Sequence, residues 1–492
     1  MKKKILKTIG ILSILVLFGK ALGLLREVLI SYRFGAGYIS DVYVFEDGFV
    51  NALNSIFSSI ISTTFIPIYI KMKSDEKNKY ISNIFSIFGF IICLLIILCE
   101  IFTIPILKGF APGFFNLYNM TEVILVTRIM LITVLFVFIE NVLIAIFQAN
   151  EYYYFSALQS IILNVSLLIF LVFGYKFGII GIIVTKVISH IIILISLYTI
   201  INKKRLYNPK LIFEPKDENI KKMFKLSLPV LIVSMISQLN YIVDRIMSSM
   251  LNSGSMTLVS YSTTITMLPY YVIGYAVNST FFTEVSRVQD DSKKMNEVLM
   301  KHLEYLNKTI IPTCIVLVLF STQIGYIMYG RGNMTENNII TIGKLIVFYI
   351  PGIYMLCIRD LLNRICYTIQ KTYLMSISTI IGFIINIVLN IILVKTFGIY
   401  GLALATTFGS FISTFLIYFL LVRGKYIKLS FNFSLKRTIR YIISILIAFI
   451  LKKIFKYIII NELITYLIEV IISFIIIFSY NNFKEIKQIF EK

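Results

Sequence analysis

Tryptophan is absent from this chain, histidine occurs twice and cysteine five times in 492 residues. Each scarcity removes a reading. Without Trp, any aromatic belt at a membrane–water interface has to come from Tyr and Phe. Cys93, Cys99, Cys314, Cys357 and Cys366 lie in apolar runs without CxxC spacing. With only His190 and His302 to join them, no Cys/His zinc set is legible, and the cysteines read as free thiols inside a membrane. Charge is scarce too, at 15% of residues against 58% hydrophobic, which excludes a soluble globular protein and points to a polytopic membrane protein. No small-residue cleavage site follows MKKKILKTIGILSILVLFG, so a retained first helix is expected rather than a signal peptide. A sizeable outer loop is also missing, the longest being around 108–120. That counts against a membrane glycosyltransferase, despite the acidic pair Glu46 and Asp47.

Fourteen apolar runs, from 5–33 to 463–481, are long enough to cross a bilayer, which takes about 17–25 residues. The net charge of +22 is not spread evenly over their connections. Lysine and arginine crowd KKK at 2–4, KMKSDEKNK at 71–79, the stretch 202–225 and later loops on the same side. The opposite loops hold little beyond Lys108, Lys176, Arg331 and Lys395. The asymmetry predicts an even number of spans with both termini cytoplasmic. The positive charge is thereby a topology signal, and nucleic acid is not expected as a partner.

FGIIGIIVTKVIS at 177–189 recurs as FGIYGLALATTFG at 397–409, and GAG at 35–37 finds SGS at 253–255. The spacing of about 220 residues predicts two six-helix lobes related by an axis along the membrane normal. The expected organisation is an N-lobe at 1–201, a cytoplasmic linker at 202–221, a C-lobe at 222–425, and two extra helices with a tail at 426–492. Two bundles around a central cavity are a transporter architecture.

Charges inside such spans need a reason, since one at the bilayer centre costs about 2.5–3.5 kcal/mol on insertion scales. FGKALGLLREVLISYRFGAG at 18–37 carries four: Lys20, Arg26, Glu27 and Arg33. At about 100° per residue they fall on two faces, leaving an arc rich in Leu and Ile for lipid or packing. Interfacial snorkelling and ion pairing account for Arg33 and Asp41. Lys20, Arg26 and Glu27 are deeper and read as the wall of a water-filled cavity, with Asp41, Glu46 and Asp47 of the second helix toward its outer end. Asp244, Asn386, Asn390 and Thr406 lie at similar depth in helices 7, 11 and 12. Their oxygens suit a hard cation or an interhelical hydrogen-bond network, and Arg245 is expected to neutralise Asp244. Glu140 and Lys186 stand inside spans as lone charges, while Arg359, Asp360, Arg364 and Lys371 end helix 10.

GKALGLLREVLISYRFGAGYISDVYVF, LSLPVLIVSMISQLNYIVDRIMSS, RDLLNRICYTIQKTY and INIVLNIILVKTFGIYGLALATT occur in that order along the chain. Together they resemble the MurJ/MviN family of lipid II flippases. The resemblance implies fourteen helices and the transfer of an undecaprenyl-diphosphate-linked saccharide, lipid II first among them, from inner to outer leaflet. Flippases for another polysaccharide or teichoic-acid-type unit, and cation-coupled drug exporters, are the alternatives. It places Lys20, Arg26, Glu27, Asp41, Glu46 and Asp47 at the substrate cavity, implies a groove for the lipid tail along helices 13 and 14, and makes cell-wall synthesis proteins candidate partners. It also implies a sodium site on Asp244, Asn386, Asn390, Thr406 and the Leu402 carbonyl. The departures are specific. Asn54, Ser55 and Thr264 stand where the family carries arginines, Lys20 stands for an Arg, and Asn390 for a frequent Asp.

Overall fold

The computed structural model describes residues 2–289, 291–428, 435–455 and 462–482, and the secondary structure among them is helical. The long helices are α1 (Lys2–Phe34), α2 (Tyr38–Lys71), α3 (Ser74–Ile101), α4 (Met120–Ala149), α5 (Phe155–Phe173), α6 (Gly178–Lys203) and α7 (Glu218–Ser249). They continue as α8 (Ser255–Pro269, prolonged to Tyr275–Ser286), α9 (Ser292–Leu319), α10 (Glu336–Thr368), α11 (Thr372–Phe397), α12 (Ile399–Arg423), α13 (Leu435–Phe455) and α14 (Glu462–Asn481). Nine of these are long and apolar enough to cross a membrane. The count is ten if α9 and Ser321–Tyr329, which bend by 78°, form one span. The other four expected spans fall on α1, α7, α8 and α13 and are helical as well. Helix is the only open-ended element that satisfies its own backbone in lipid.

The sidedness of α11 shows why such a sequence folds this way. Ile377, Ile381, Ile384, Val388 and Ile392 form an exposed stripe, whereas Ser378, Gly382, Asn386 and Asn390 recur every fourth residue on the buried face. Apolar side chains face outward and small or polar ones face the neighbouring helix, as lipid requires. A Cβ on Gly382 would come within 3.0 Å of the Gly409 carbonyl oxygen, so the glycines let α11 and α12 touch backbone to backbone.

The internal duplication is written into the backbone. Gly35, Glu151, Gly178 and Arg205 have positive φ, and so do Gly254, Gln370, Gly398 and Lys425, each about 220 residues later. Matched hydrogen bonds accompany them: Tyr152 N–H to Phe147 O and Lys371 N–H to Cys366 O, then Leu206 N–H to Ile201 O and Tyr426 N–H to Leu421 O. These are six-residue closures of the kind that ends a helix with a left-handed residue. Gly178 (φ 59°, ψ −144°) and Gly398 (φ 56°, ψ −133°) are nearly superimposable in conformation. The third helix of each repeat breaks at one phenylalanine, Phe102 (φ −98°, ψ 21°) and Phe320 (φ −109°, ψ 23°). The second helix of each carries a π turn, Ile61–Phe65 and Tyr270–Gly274. In α2 the carbonyls disturbed by that turn are served by hydroxyls, Thr63 to Ser59 O and Thr64 to Ile60 O, both at 2.6 Å.

The chain divides into two compact units, residues 1–256 and 257–492. Helix α7, expected to open the C-lobe, therefore belongs with α1–α6 in the first unit. Tyr80 Oη donates to Met223 Sδ at 3.4 Å, and Thr64 meets Ser227 at 3.4 Å. The expected linker also packs in the first unit, against α3. Asn83 exchanges two hydrogen bonds with the Glu214 backbone at 2.8 and 2.9 Å, and Lys79 pairs with the Glu214 carboxylate at 2.7 Å. In the second unit α13 and α14 are tied together by Asn481 donating to Ser444 at 2.8 Å. All five cysteines are free thiols.

Candidate functional site

The opening stretch GKALG supplies a close helix–helix contact. Gly19 and Gly23, four residues apart, leave room for α5, and a Cβ on Gly19 would sit 3.1 Å from Ser160 Oγ. That approach puts Asn164 of α5 against α1. Its amide nitrogen donates to Ser160 O at 2.8 Å and Gly19 O at 3.3 Å, and its Oδ1 accepts from Arg26 Nη1 at 3.0 Å. Arg26 lies 3.9 Å from Glu27 and stands 5.9 Å from the centre of the Tyr43 ring on α2.

Lys186 of α6 reaches the same ring, 4.8 Å from its centre, and its ammonium donates to Asp47 Oδ1. The Lys186 side chain is 3% exposed and that of Asp47 27%, so a buried ammonium meets a partly open carboxylate within a spanning region. The second oxygen of Asp47 accepts from Asn51 Nδ2 at 2.9 Å, one turn further along α2. Two cations, one aromatic face and two carboxylates are thus gathered in the first unit from α1, α2 and α6. A tyrosine face between two cations favours both by its quadrupole. Ammonium and guanidinium together are the donor set that holds phosphate oxygens.

Around this cluster the remaining charges are individually held. Glu140 of α4, fully buried, accepts from Gln159 Nε2 at 2.6 Å and meets His190 Nδ1 at 2.9 Å, one turn beyond Lys186 on α6. Arg245 of α7 donates to the Val44 and Phe45 carbonyls of α2 rather than serving only as a counter-charge to Asp244. Gly48 makes that possible, because a Cβ there would lie 1.8 Å from the guanidinium carbon. Glu46 meets α4, where Thr127 Oγ1 is 2.5 Å from its Oε1, and it also feels the charge of Lys186.

Of the six residues expected at the cavity, Arg26, Glu27 and Asp47 are brought together. Lys20 is exposed on α1. Asp41 is 2% exposed at the far end of α2, where its Oδ2 accepts from Tyr118 Oη at 2.7 Å and from Gly254 N–H at 2.8 Å. That carboxylate closes the loops at one end of the first unit. Tyr43, Asn164 and the partnership of Lys186 with Asp47 escaped sequence reasoning. A lysine inside an apolar span was the signal for the last, but its partner is 139 residues away.

In the second unit Asn386 Nδ2 donates to Thr406 Oγ1 at 3.4 Å, and Asn390 Nδ2 donates to Asn386 Oδ1 at 3.2 Å. Leu402 is fully buried on the same α12. Three of the expected cation ligands therefore share a contact between α11 and α12, whereas Asp244 belongs to the first unit. No cluster of three or more His, Cys, Asp or Glu able to hold a metal occurs among the described residues. At the end of α10, Asp360 accepts from Tyr270 at 2.5 Å and Arg359 donates to Ser413 at 3.4 Å.

A duplicated bundle of long apolar helices with buried ion pairs defines a polytopic membrane transporter rather than an enzyme. The sequence profile described as Lipid II flippase MurJ matches residues 30–474, and the chain belongs to that family. It is 27% identical over 440 residues to the probable lipid II flippase MurJ of Buchnera aphidicola subsp. Schizaphis graminum, covering 87% of this chain and 85% of the relative. With the Lipid II flippase MurJ of Thermosipho africanus it shares 27% identity over 411 residues, 83% of this chain and 84% of the other. Among solved structures, Lipid II flippase MurJ in an inward closed conformation superposes with a TM-score of 0.80 at 25% identity, covering 96% of this chain and 99% of that one. An inward-facing multidrug resistance MATE family transporter of the MOP superfamily shares the fold at 13% identity, with a TM-score of 0.67 over 85% of this chain and 98% of its own.

Proposed function

We propose that this protein is a multi-pass flippase of the bacterial cytoplasmic membrane that carries an undecaprenyl-diphosphate-linked saccharide, lipid II in the first instance, from the inner to the outer leaflet by alternating access. Family membership across nearly the whole chain supports the substrate class. The observation that carries the mechanism is the pairing of buried Lys186 with Asp47 beside Arg26 on one tyrosine ring. A diphosphate entering this cluster replaces Asp47 as the partner of Lys186, while Asn51 retains Asp47. Arg26 offers a fork of N–H donors and Lys186 a point charge, so the head group exchanges one anionic partner for another instead of meeting bare cations. Lys20, exposed on α1, is positioned to meet the head group earlier in its path, and Glu27 tunes Arg26. Asp41 serves the gate end through Tyr118 and Gly254. The termini are assigned to the cytoplasm from the basic loops. A sodium ion would be held in the second unit by the oxygens of Asn386, Asn390 and Thr406 with the Leu402 carbonyl. The family also makes cell-wall synthesis proteins candidate partners.

Complementation of a strain depleted of its lipid II flippase tests the substrate. Growth is expected, and failure with normal membrane expression would remove lipid II while leaving a flippase of another saccharide. That second reading is favoured by one contact: Asn54 accepts from Asn141 at 2.7 Å, a neutral amide pair where the family places cations. Arg26→Ala is expected to lower export of the confirmed substrate at least tenfold in reconstituted vesicles. Unchanged export would sink the phosphate assignment.

A further inference from the structure

Among the described residues of the first unit's cluster, Glu46 is an acid whose hydrogen-bonding surroundings do not suit an anion. It is wholly buried, and its Oε2 has no protein hydrogen-bond partner among the described residues. Among the described residues its Oε1 has one hydrogen-bond partner, Thr127 Oγ1 at 2.5 Å, and that hydroxyl is also 2.8 Å from the Val123 carbonyl oxygen of its own helix. A threonine hydroxyl has one hydrogen and can serve one of the two acceptors. When it donates to Val123, as helical threonines do, the short contact to Glu46 has to be closed by a hydrogen on the carboxyl. An ionised carboxylate here would keep at most one donor and be otherwise desolvated, which costs several kcal/mol. The adjacent Asp47 has the opposite surroundings, with Lys186 on one oxygen and Asn51 on the other. Two neighbouring acids are thus sorted by environment, Asp47 as the anion and Glu46 as the acid.

The charged groups on the elements packed against α2 are each engaged elsewhere, with Lys186 also near enough to act on Glu46. Helix α1 brings Arg26, which is engaged with Asn164, and Glu27. Helix α4 brings Glu140, which is held by Gln159 and His190 of α6. Lys186 of α6 is committed to Asp47, and α7 brings Asp244 and Arg245, the latter bonded to backbone carbonyls. Lys186 acts on Glu46 through space, but among the described residues Thr127 is the hydrogen-bond partner of the Glu46 carboxyl.

We propose that Glu46 is a proton-binding site: its carboxyl carries a proton in this conformation and releases it to water when α2 parts from α4, so that head-group movement is coupled to proton movement. The step is a simple dissociation, the Glu46 O–H bond breaking and the proton passing to water, with the carboxylate left one residue from Asp47. With Glu46 neutral, the cluster accepts an anionic head group. With Glu46 ionised, an added negative charge favours its release. The coupling rests on the flippase reading, but the protonation does not.

The test is an infrared difference spectrum of the full chain in liposomes at neutral pH without substrate, wild type minus Glu46→Gln. The carbonyl band of a protonated carboxylic acid is expected in the difference, weakened in solvent exchange because the group is buried. Thr127→Val is expected to shift its frequency. A difference spectrum without the band would overturn the protonation. Glu46→Gln preserves shape and neutrality, and Glu46→Asp serves as a second variant should it fail to assemble. In the second arm, an imposed proton gradient is expected to accelerate flipping of an undecaprenyl-diphosphate saccharide several-fold in the wild type and not in Glu46→Gln. Equal acceleration in both would overturn the coupling. Absence of flipping by the wild type would instead overturn the proposed function, leaving the spectrum to decide the protonation.

Discussion

At the residue scale the decisive feature is the ion pair of buried Lys186 with partly open Asp47. Removing the lysine leaves a partly desolvated carboxylate, so the cost lies below the ~3–5 kcal/mol of a fully buried pair. Lys186→Met is therefore expected to lower the apparent melting temperature in detergent markedly and to abolish flipping. Lys186→Met combined with Asp47→Asn removes both charges, so most of the thermal loss should return while flipping does not. A double variant as unstable as the single one would show that the pair is not what holds α2 to α6 at this point. The sequence exposed half of this interaction. A lysine and an acidic pair inside apolar spans are conspicuous in any one-dimensional scan, but helical periodicity says only which face each occupies. Which face of α6 meets which face of α2 depends on packing set by residues such as Gly19, Gly23 and Gly48, whose small size permits approach without specifying a partner. The same limit hid Arg245. It looked like a counter-charge to its neighbour Asp244, yet it donates to backbone across to α2.

At the element scale, helix ends are where the repeat is most legible and most testable. FG at 177–178 and at 397–398 was visible as repeated text, and the structure gives both glycines the same conformation, one that essentially only glycine adopts. Nothing lies within 4 Å of a Cβ built on Gly398, and on Gly178 the nearest atom is Ile39 Cδ1 at an ordinary 3.7 Å. The cost of alanine is then backbone strain alone, about 1–3 kcal/mol at either position. Gly178→Ala and Gly398→Ala should depress the melting temperature by similar amounts. Gly37→Ala should leave it unchanged, because Gly37 has an extended φ of −169° and open space around it. Unequal losses at the matched glycines would argue that the two turns do not carry equivalent roles. The paired left-handed residues Glu151 with Gln370 and Arg205 with Lys425 were not legible, since no side-chain pattern marks them. They follow from how the preceding helix closes its last carbonyls.

At the scale of the whole molecule, helix existence and the duplication could be read from apolar run length and recurring text, and the lobe boundary was the harder matter. Charge in the 202–221 stretch suggested a cytoplasmic linker; Asn83 and Lys79 fasten it to α3, and α7 falls in the first compact unit. Orientation in the membrane rests on charge. Lysines and arginines retained on the cytoplasmic side set topology when they lie in short loops near span ends. Alternation along the helices puts Asn116 and Asn333 on one side, and Lys210 and Lys425 on the other, all exposed. In a background with the five native cysteines replaced, Asn116→Cys and Asn333→Cys should react with a membrane-impermeant maleimide in intact cells. Lys210→Cys and Lys425→Cys should react only after the membrane is opened. Because each pair samples both compact units, the experiment reads the two halves independently. Opposite labelling in both would reverse the direction of transport assigned to the cavity. Opposite labelling in one half alone would mean an odd number of spans between the halves and would overturn the parallel repeat drawn from the matched offsets of about 220 residues.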